Sequence, residues 1–173
     1  MLRNIPLSRI ITSALQRTIQ TALPLSEEKD IPIEKIMDFN EAKLGVFEGE
    51  HKRDFSDNAS REIYTSFLQD EISICLPGGG ESLIMVDQRL RSSLLQILDS
   101  FDSSGQILLV AHRNVNKMIV KNLLGLSFDE GYRVEHFNDC LYIFSPKNNK
   151  MFYLKIPSPN EPFEIIKGYE EIS

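Results

Sequence analysis

The chain has 173 residues and a mass of 19.8 kDa, with 42% hydrophobic residues, 25% charged residues and a net charge of −6 at pH 7. That is one ordinary domain, 1–173, able to bury roughly two thirds of its unfolded surface. The composition excludes a disordered chain, and the acidic balance makes nucleic acid a poor partner.

No apolar run reaches the roughly 18 residues of a membrane-spanning helix, so no membrane partner is expected. Two cysteines, Cys75 and Cys140, fit a reducing, cytoplasmic setting without a disulfide framework. With no CxxC pair and only His51, His112 and His136 as histidines, no metal site is expected.

The N-terminal 26 residues carry Arg3, Arg9 and Arg17 and no acid, the composition of a mitochondrial transit peptide. The same residues also read as structure. Ser8 to Thr12 is a short β-branched strand. A helical pattern follows through Ala14, Leu15, Thr18, Ile19 and Ala22, with Pro24 predicted to stop it. Residues 27–50 are acidic and irregular. Residues 51–72 read as a polar helix with Ile63, Phe67 and Leu68 on one side. Pro77-Gly78-Gly79-Gly80 is a flexible break.

Ser82 to Leu98 is an amphipathic helix, with Leu83, Val86, Leu90, Leu94 and Leu98 recurring at helical steps. After a Ser103-Ser104-Gly105 turn, Gln106 to Ala111 is continuously apolar apart from its first residue, as in a strand buried on both faces of a parallel sheet. Asn114 to Leu124 is helical and Gly125 ends it. Cys140–Phe144 and Met151–Ile156 form a hairpin around Pro146 to Asn149. The tail 157–173 is acidic, proline-containing and loosely held. Alternating strands and helices with one apolar strand indicate the α/β class.

In open α/β sheets, sites lie at the carboxyl ends of strands. Two such ends carry chemistry. His112 follows the apolar strand and opens a helix, where a histidine and the backbone N–H groups can meet a phosphate oxygen. Arg17 lies at the start of the first helix, and a guanidinium grips phosphate with two parallel hydrogen bonds. Glu41, in an acidic stretch, is a carboxyl able to protonate a leaving group. Each has a plainer reading: a buried histidine bonded to a carbonyl, a solvated arginine, one more surface acid. Pro77 to Ser82 lacks the GK[ST] ending of a P-loop and serves as a helix start, with Glu81 or Ser82 near the cap.

Taken together, these segments resemble the histidine phosphatase superfamily, also called phosphoglycerate mutase-like. Thr12 to Ala22 resembles its "SSxLxRTxQTA" motif. Asn40-Glu41 through Glu48-Gly49 resembles "NExxxGxxEG". Pro77 to Ser82 is similar to "PxGES", followed by a helix carrying Arg89, and Leu108 to Asn114 is similar to the second-histidine strand in a "VAHRxVN" variant. Four motifs in family order over residues 8–126 assign the N-terminal segment to the domain.

The resemblance implies a three-layer fold with a mainly parallel sheet flanked by helices. It also implies Arg17 and His112 as the phosphoryl clamp and Glu41 as general acid, then base. Ser13, Arg113, Glu81 and Ser82 are further candidates around the site. No metal or organic cofactor is implied, and the substrate or ligand is a small phosphate ester. The short stretch between Gly49 and Pro77 favours a phosphatase over a mutase, with the Ile63, Phe67 and Leu68 face covering the site.

The family's "RHGxT" motif, which supplies the nucleophilic histidine, has no counterpart in these 173 residues. His51 and His136 match no family position. The expectation is an N-terminally truncated domain lacking a strand-and-helix unit. It either belongs to a phosphatase or is a non-catalytic pseudoenzyme that binds a phosphorylated ligand or a protein. The missing strand would leave an open sheet edge, so a homodimer is expected.

Overall fold

The computed structural model describes residues 5–50, 57–102, 105–137, 140–147 and 149–155. The chain divides into two compact units, Met1–Asn116 and Lys117–Ser173.

The first unit is built on a parallel sheet. Its strands are β1 (Leu7–Ser13), β2 (Ile33–Ile36) and β3 (Gln106–Val110), in the order β2-β1-β3. The register pairs Ile11 with Glu34 on one side and Thr12 with Val110 on the other. β1 is the central strand, and its residues Ile10 to Ser13 are wholly buried. Burying an isoleucine side chain is worth about 2 kcal/mol, so Ile10 and Ile11 alone anchor the sheet strongly. A two-pronged Arg9–Glu34 pair, at 2.8 and 2.7 Å, ties β1 to β2 at the surface.

β3 departs from the sequence reading. Ile107 to Val110 are half-buried rather than buried on both faces. The reason is position: β3 bonds to β1 along one edge, and along the other no strand is joined to it among the described residues.

Helix α1 (Gln16–Lys29) runs straight through Pro24, which does not stop it. Pro24 is exposed, so the carbonyl one turn earlier that loses its N–H partner can be hydrated. Asp30, in the left-handed region at φ 54°, ends the helix, and its N–H bonds the Ser26 carbonyl. β2 lies in a stretch that reads as irregular, because four residues with one lysine and one glutamate carry too little pattern.

Helix α2 (Asn58–Gln69) starts at Asp57, whose carboxylate accepts the Ser60 N–H at 2.7 Å. Its buried face is Tyr64 and Phe67, packed with Phe47, Leu76 and Leu44. Ile63 and Leu68 are exposed, which corrects the expected Ile63, Phe67 and Leu68 face. Edge-tilted aromatic contacts decide which side turns inward: Tyr64 lies 5.5 Å from Phe47 and 5.9 Å from Phe67.

The glycine-rich turn is held rather than loose. The Val46 N–H bonds the Pro77 carbonyl at 2.8 Å. Gly45 has φ +60°, and a Cβ there would fall 2.0 Å from that same carbonyl, so only glycine fits.

Helix α3 (Leu83–Asp99) is capped by Ser82 and buries Leu83, Val86, Asp87, Leu90, Leu94 and Ile97. Leu98, expected on that face, is 36% exposed, and Ile97 takes the inward place. Helix α4 (Arg113–Leu124) follows β3, and Gly125 ends it at φ +69°.

In the second unit, α5 (Phe128–Arg133) opens with a reciprocal capping box between Ser127 and Glu130. The Lys117 ammonium donates to the Tyr132 carbonyl at 2.6 Å and sits over the Tyr132 ring. β4 (Cys140–Ser145) and β5 (Lys150–Lys155) form the expected antiparallel hairpin. The 157–173 tail, His51 and the Ser103-Ser104 turn lie outside the described residues.

Candidate functional site

Strand β1 ends at Ser13 and β3 ends just before His112, on neighbouring strands of one parallel sheet. Parallel strands put their carboxyl ends at the same sheet edge, so residues 99 apart in sequence meet: Ser13 Oγ lies 2.8 Å from His112 Nε2. Arg17, on the first turn of α1, reaches back over this end, and its Nε donates to His112 Nδ1 at 3.1 Å. His112 is 7% exposed, while Arg17 is exposed. The Arg17 terminal nitrogens have no protein acceptor among the described residues. The two residues predicted to clamp a phosphoryl group are thus brought together, with guanidinium donors left over.

Burial first, and then the positive charges of Arg17 and Arg89, hold the His112 imidazole down to a pKa of about 4. It is therefore neutral at neutral pH. A neutral ring accepting from Arg17 and bonded to Ser13 is fully partnered within the protein.

Glu41 approaches from the loop between β2 and α2. One carboxylate oxygen accepts its neighbour's N–H, Ala42, at 3.0 Å. Burial raises the Glu41 pKa above its ordinary value. The N–H groups of Ala42 and Asn114 and the charges of Arg17 and Arg89 pull the other way without overcoming it. A carboxyl with a raised pKa beside an arginine is suited to giving and taking a proton.

The loop that carries Glu41 is fixed by two residues whose roles are not visible in the sequence. Asn40 Oδ1 accepts the Ala14 N–H at 2.9 Å, joining the loop to the β1–α1 turn. Arg89, on α3, donates to the carbonyls of Asp38 and Asn40, the latter at 2.6 Å. It also bonds Glu81 with two nitrogens, at 2.8 and 3.2 Å.

Burial would raise the Glu81 pKa, but the Arg89 hydrogen bond, the Lys43 N–H and those residues' charges outweigh it and leave Glu81 below its ordinary value. Glu81 is therefore the counter-ion of Arg89, and Ser82 is the cap of α3. Arg113 is exposed at the start of α4 and bonds to none of the site residues. His136 packs against Tyr142 in the second unit, with ring centroids 4.5 Å apart. No cluster of three or more His, Cys, Asp or Glu side chains suited to a metal occurs among the described residues.

The profile of the histidine phosphatase superfamily (branch 1) matches residues 1–157. The chain belongs to this superfamily. An adenosylcobalamin/alpha-ribazole phosphatase of Salmonella typhimurium is 28% identical to this histidine phosphatase relative over 124 residues, 72% of this chain and 60% of that protein. The Escherichia coli protein of the same name is 25% identical over 126 residues, 73% of this chain and 61% of its own length. The chain thus spans about 60% of the length of the curated relatives it matches.

Among solved structures, a putative alpha-ribazole-5'-P phosphatase from Escherichia coli superposes with a TM-score of 0.74 at 20% identity. That match covers 93% of this chain and 78% of that one. A mycobacterial glucosyl-3-phosphoglycerate phosphatase gives 0.63 at 20% identity, covering 86% and 76%. At these identities the structural matches establish the fold: the three-layer α/β arrangement of phosphoglycerate mutase-like phosphatases, with a parallel sheet flanked by helices.

Proposed function

We propose that the chain binds the phosphoryl group of a small phosphate ester at the Arg17–His112 site. In this reading Glu41 stands at the leaving-group side, and the chemistry is that of a phosphatase rather than a mutase. The observation that carries this is the 3.1 Å contact between Arg17 Nε and His112 Nδ1 at the carboxyl end of the sheet, with the remaining guanidinium donors unspent. The spare guanidinium donors of Arg17 beside this ring can neutralise the charge on phosphoryl oxygens. The curated relatives are named as phosphatases of adenosylcobalamin or alpha-ribazole, which supports a phosphate ester as ligand.

Catalysis by a phosphohistidine route needs a nucleophilic histidine, and the 173 residues hold no RHG tripeptide. The reading is therefore of a phosphate-binding chain whose own turnover is low or absent. A thermal melt with inorganic phosphate or vanadate tests it. Ligand at about a hundred times its dissociation constant adds about 2.7 kcal/mol, and Arg17→Ala should remove that gain. A melt that does not respond, at any concentration up to tens of millimolar, would sink the reading.

A second reading is a histidine supplied by a partner copy or another segment. It is favoured by the side of β3 that no strand among the described residues joins, together with the half-burial of its apolar residues. It predicts a dimer and hydrolysis of p-nitrophenyl phosphate that disappears in His112→Ala. A monomer by light scattering together with no turnover removes this second reading.

A further inference from the structure

The hydrogen bonds around His112 run in one direction. The Arg17 Nε is a donor only, so His112 Nδ1 accepts from it. A neutral imidazole that accepts at Nδ1 carries its proton on Nε2. Nε2 therefore donates to Ser13 Oγ at 2.8 Å. Ser13 Oγ also accepts the Leu15 N–H at 3.1 Å, which uses both its lone pairs. Its own hydrogen then goes to Thr18 Oγ1 at 2.7 Å. Thr18 passes the direction on by donating to the Leu15 carbonyl at 2.8 Å. The chain begins at a guanidinium, which cannot accept, and ends at a carbonyl, which cannot donate. Ser13, Thr18 and His112 are all buried, so water offers no substitute links.

We propose that Thr18 is a positioning residue for the phosphate site: by accepting the Ser13 hydroxyl proton it holds His112 as the Nε2–H tautomer. A phosphate oxygen can then bond to Nδ1 only when it takes the place of Arg17 Nε there and one proton arrives with it. This rests on the reading of Arg17 and His112 as the phosphoryl clamp. The balance is simple. A dianionic phosphate takes one proton from solvent, which ends either on Nδ1 or on the phosphate oxygen facing it. A monoanionic phosphate brings its own. The charged groups around His112 are Arg17 from α1 and Arg89 from α3, and both oppose a proton on the ring. Glu41, on its loop, is coupled to the same two arginines. The dianion supplies the negative charge that lets the ring or its partner accept the proton.

The tautomer is read without ligand from two-bond proton–nitrogen spectra of the 15N-labelled chain at neutral pH, with His112→Gln to assign the ring. The expected pattern is Nε2–H, and an Nδ1–H pattern overturns the proposal. Thr18→Val keeps the shape and removes the hydroxyl, freeing the Ser13 hydrogen to turn to Nε2. The His112 nitrogens should then move toward a mixture of tautomers and inorganic phosphate should bind about fivefold more weakly. Thr18→Ser should restore both, and a Thr18→Val spectrum identical to the wild type overturns the proposal.

Calorimetric titration with inorganic phosphate near pH 8, where it is mostly dianion, in two buffers of different ionisation enthalpy should show about one proton taken up. Zero uptake overturns the proton coupling. Absence of any phosphate binding beside an Nε2–H spectrum overturns the phosphoryl-clamp reading instead, so the two failures are told apart.

Discussion

Two arginines meet at the carboxyl end of this sheet, and they are used in opposite ways. Arg89 is enclosed, with 22% of its side chain exposed, and spends its nitrogens on Glu81 and on the carbonyls of Asp38 and Asn40. Arg17 is exposed and spends one nitrogen, on His112. A guanidinium has five N–H donors. One that is saturated by protein acceptors fixes a loop, and one with donors left over can take a ligand. The difference lies in what surrounds each side chain and not in the residue type.

The comparison can be broken first at Arg89. Arg89→Ala leaves the Glu81 carboxylate buried without its counter-ion and frees the loop carbonyls of Asp38, Asn40 and Glu41. It should cost about 3–5 kcal/mol, the usual effect of removing one partner of an enclosed ion pair, read as a fall in denaturation midpoint. If Arg89→Ala melts like the wild type, its structural role is wrong.

The next largest effect is in pH. The folded His112 pKa of about 4 lies below its ordinary 6.5. The unfolded chain therefore takes up the proton first as pH falls, and stability is lost between roughly pH 6.5 and 4. The loss amounts to up to about 3 kcal/mol. Urea titrations across that range should show the fall in the wild type and its absence in His112→Gln.

Arg17→Ala sharpens the contrast from the other side. Stability should change by less than about 0.5 kcal/mol, as for an exposed residue. Phosphate affinity should fall by roughly tenfold to a hundredfold, the worth of charge-assisted hydrogen bonds. Equal losses of stability and affinity would show Arg17 to be another Arg89.

The smallest expected change is at Glu41. Its raised pKa means that folding disfavours the ionised form, so stability is lost as pH rises through the folded value. Glu41→Gln should remove that cost, stabilising the fold slightly at neutral pH and steepening the loss of stability on the acid side.

Much of this site is legible in the sequence, because Arg17, Glu41 and His112 sit in ordered motifs whose flanking strands and helices are strongly patterned. What the sequence hides is local and contextual. β2 is four residues long, and α5 is a single capped turn and a half. Pro24 reads as a stop, yet on the exposed side of α1 its missing N–H is tolerated. The inward face of α2 is chosen by Phe47, which comes from a different segment. Thr18 and Asn40 look like routine polar residues until their partners at Ser13 and Ala14 are known. β3 reads as buried because apolar composition reports the capacity for burial, whereas its neighbours determine the outcome.

The pairing of β1 with β3 has a kinetic consequence. β1 and β2 are joined by one helix and can meet early, but Ser13 and His112 come together only after a loop of 99 residues closes. Such non-local pairings slow folding. The proposed phosphate site therefore comes into being with one of the long-range contacts that form late. A ligand that recognises it meets few partly folded molecules, and should act by delaying escape from the folded state rather than by hastening arrival.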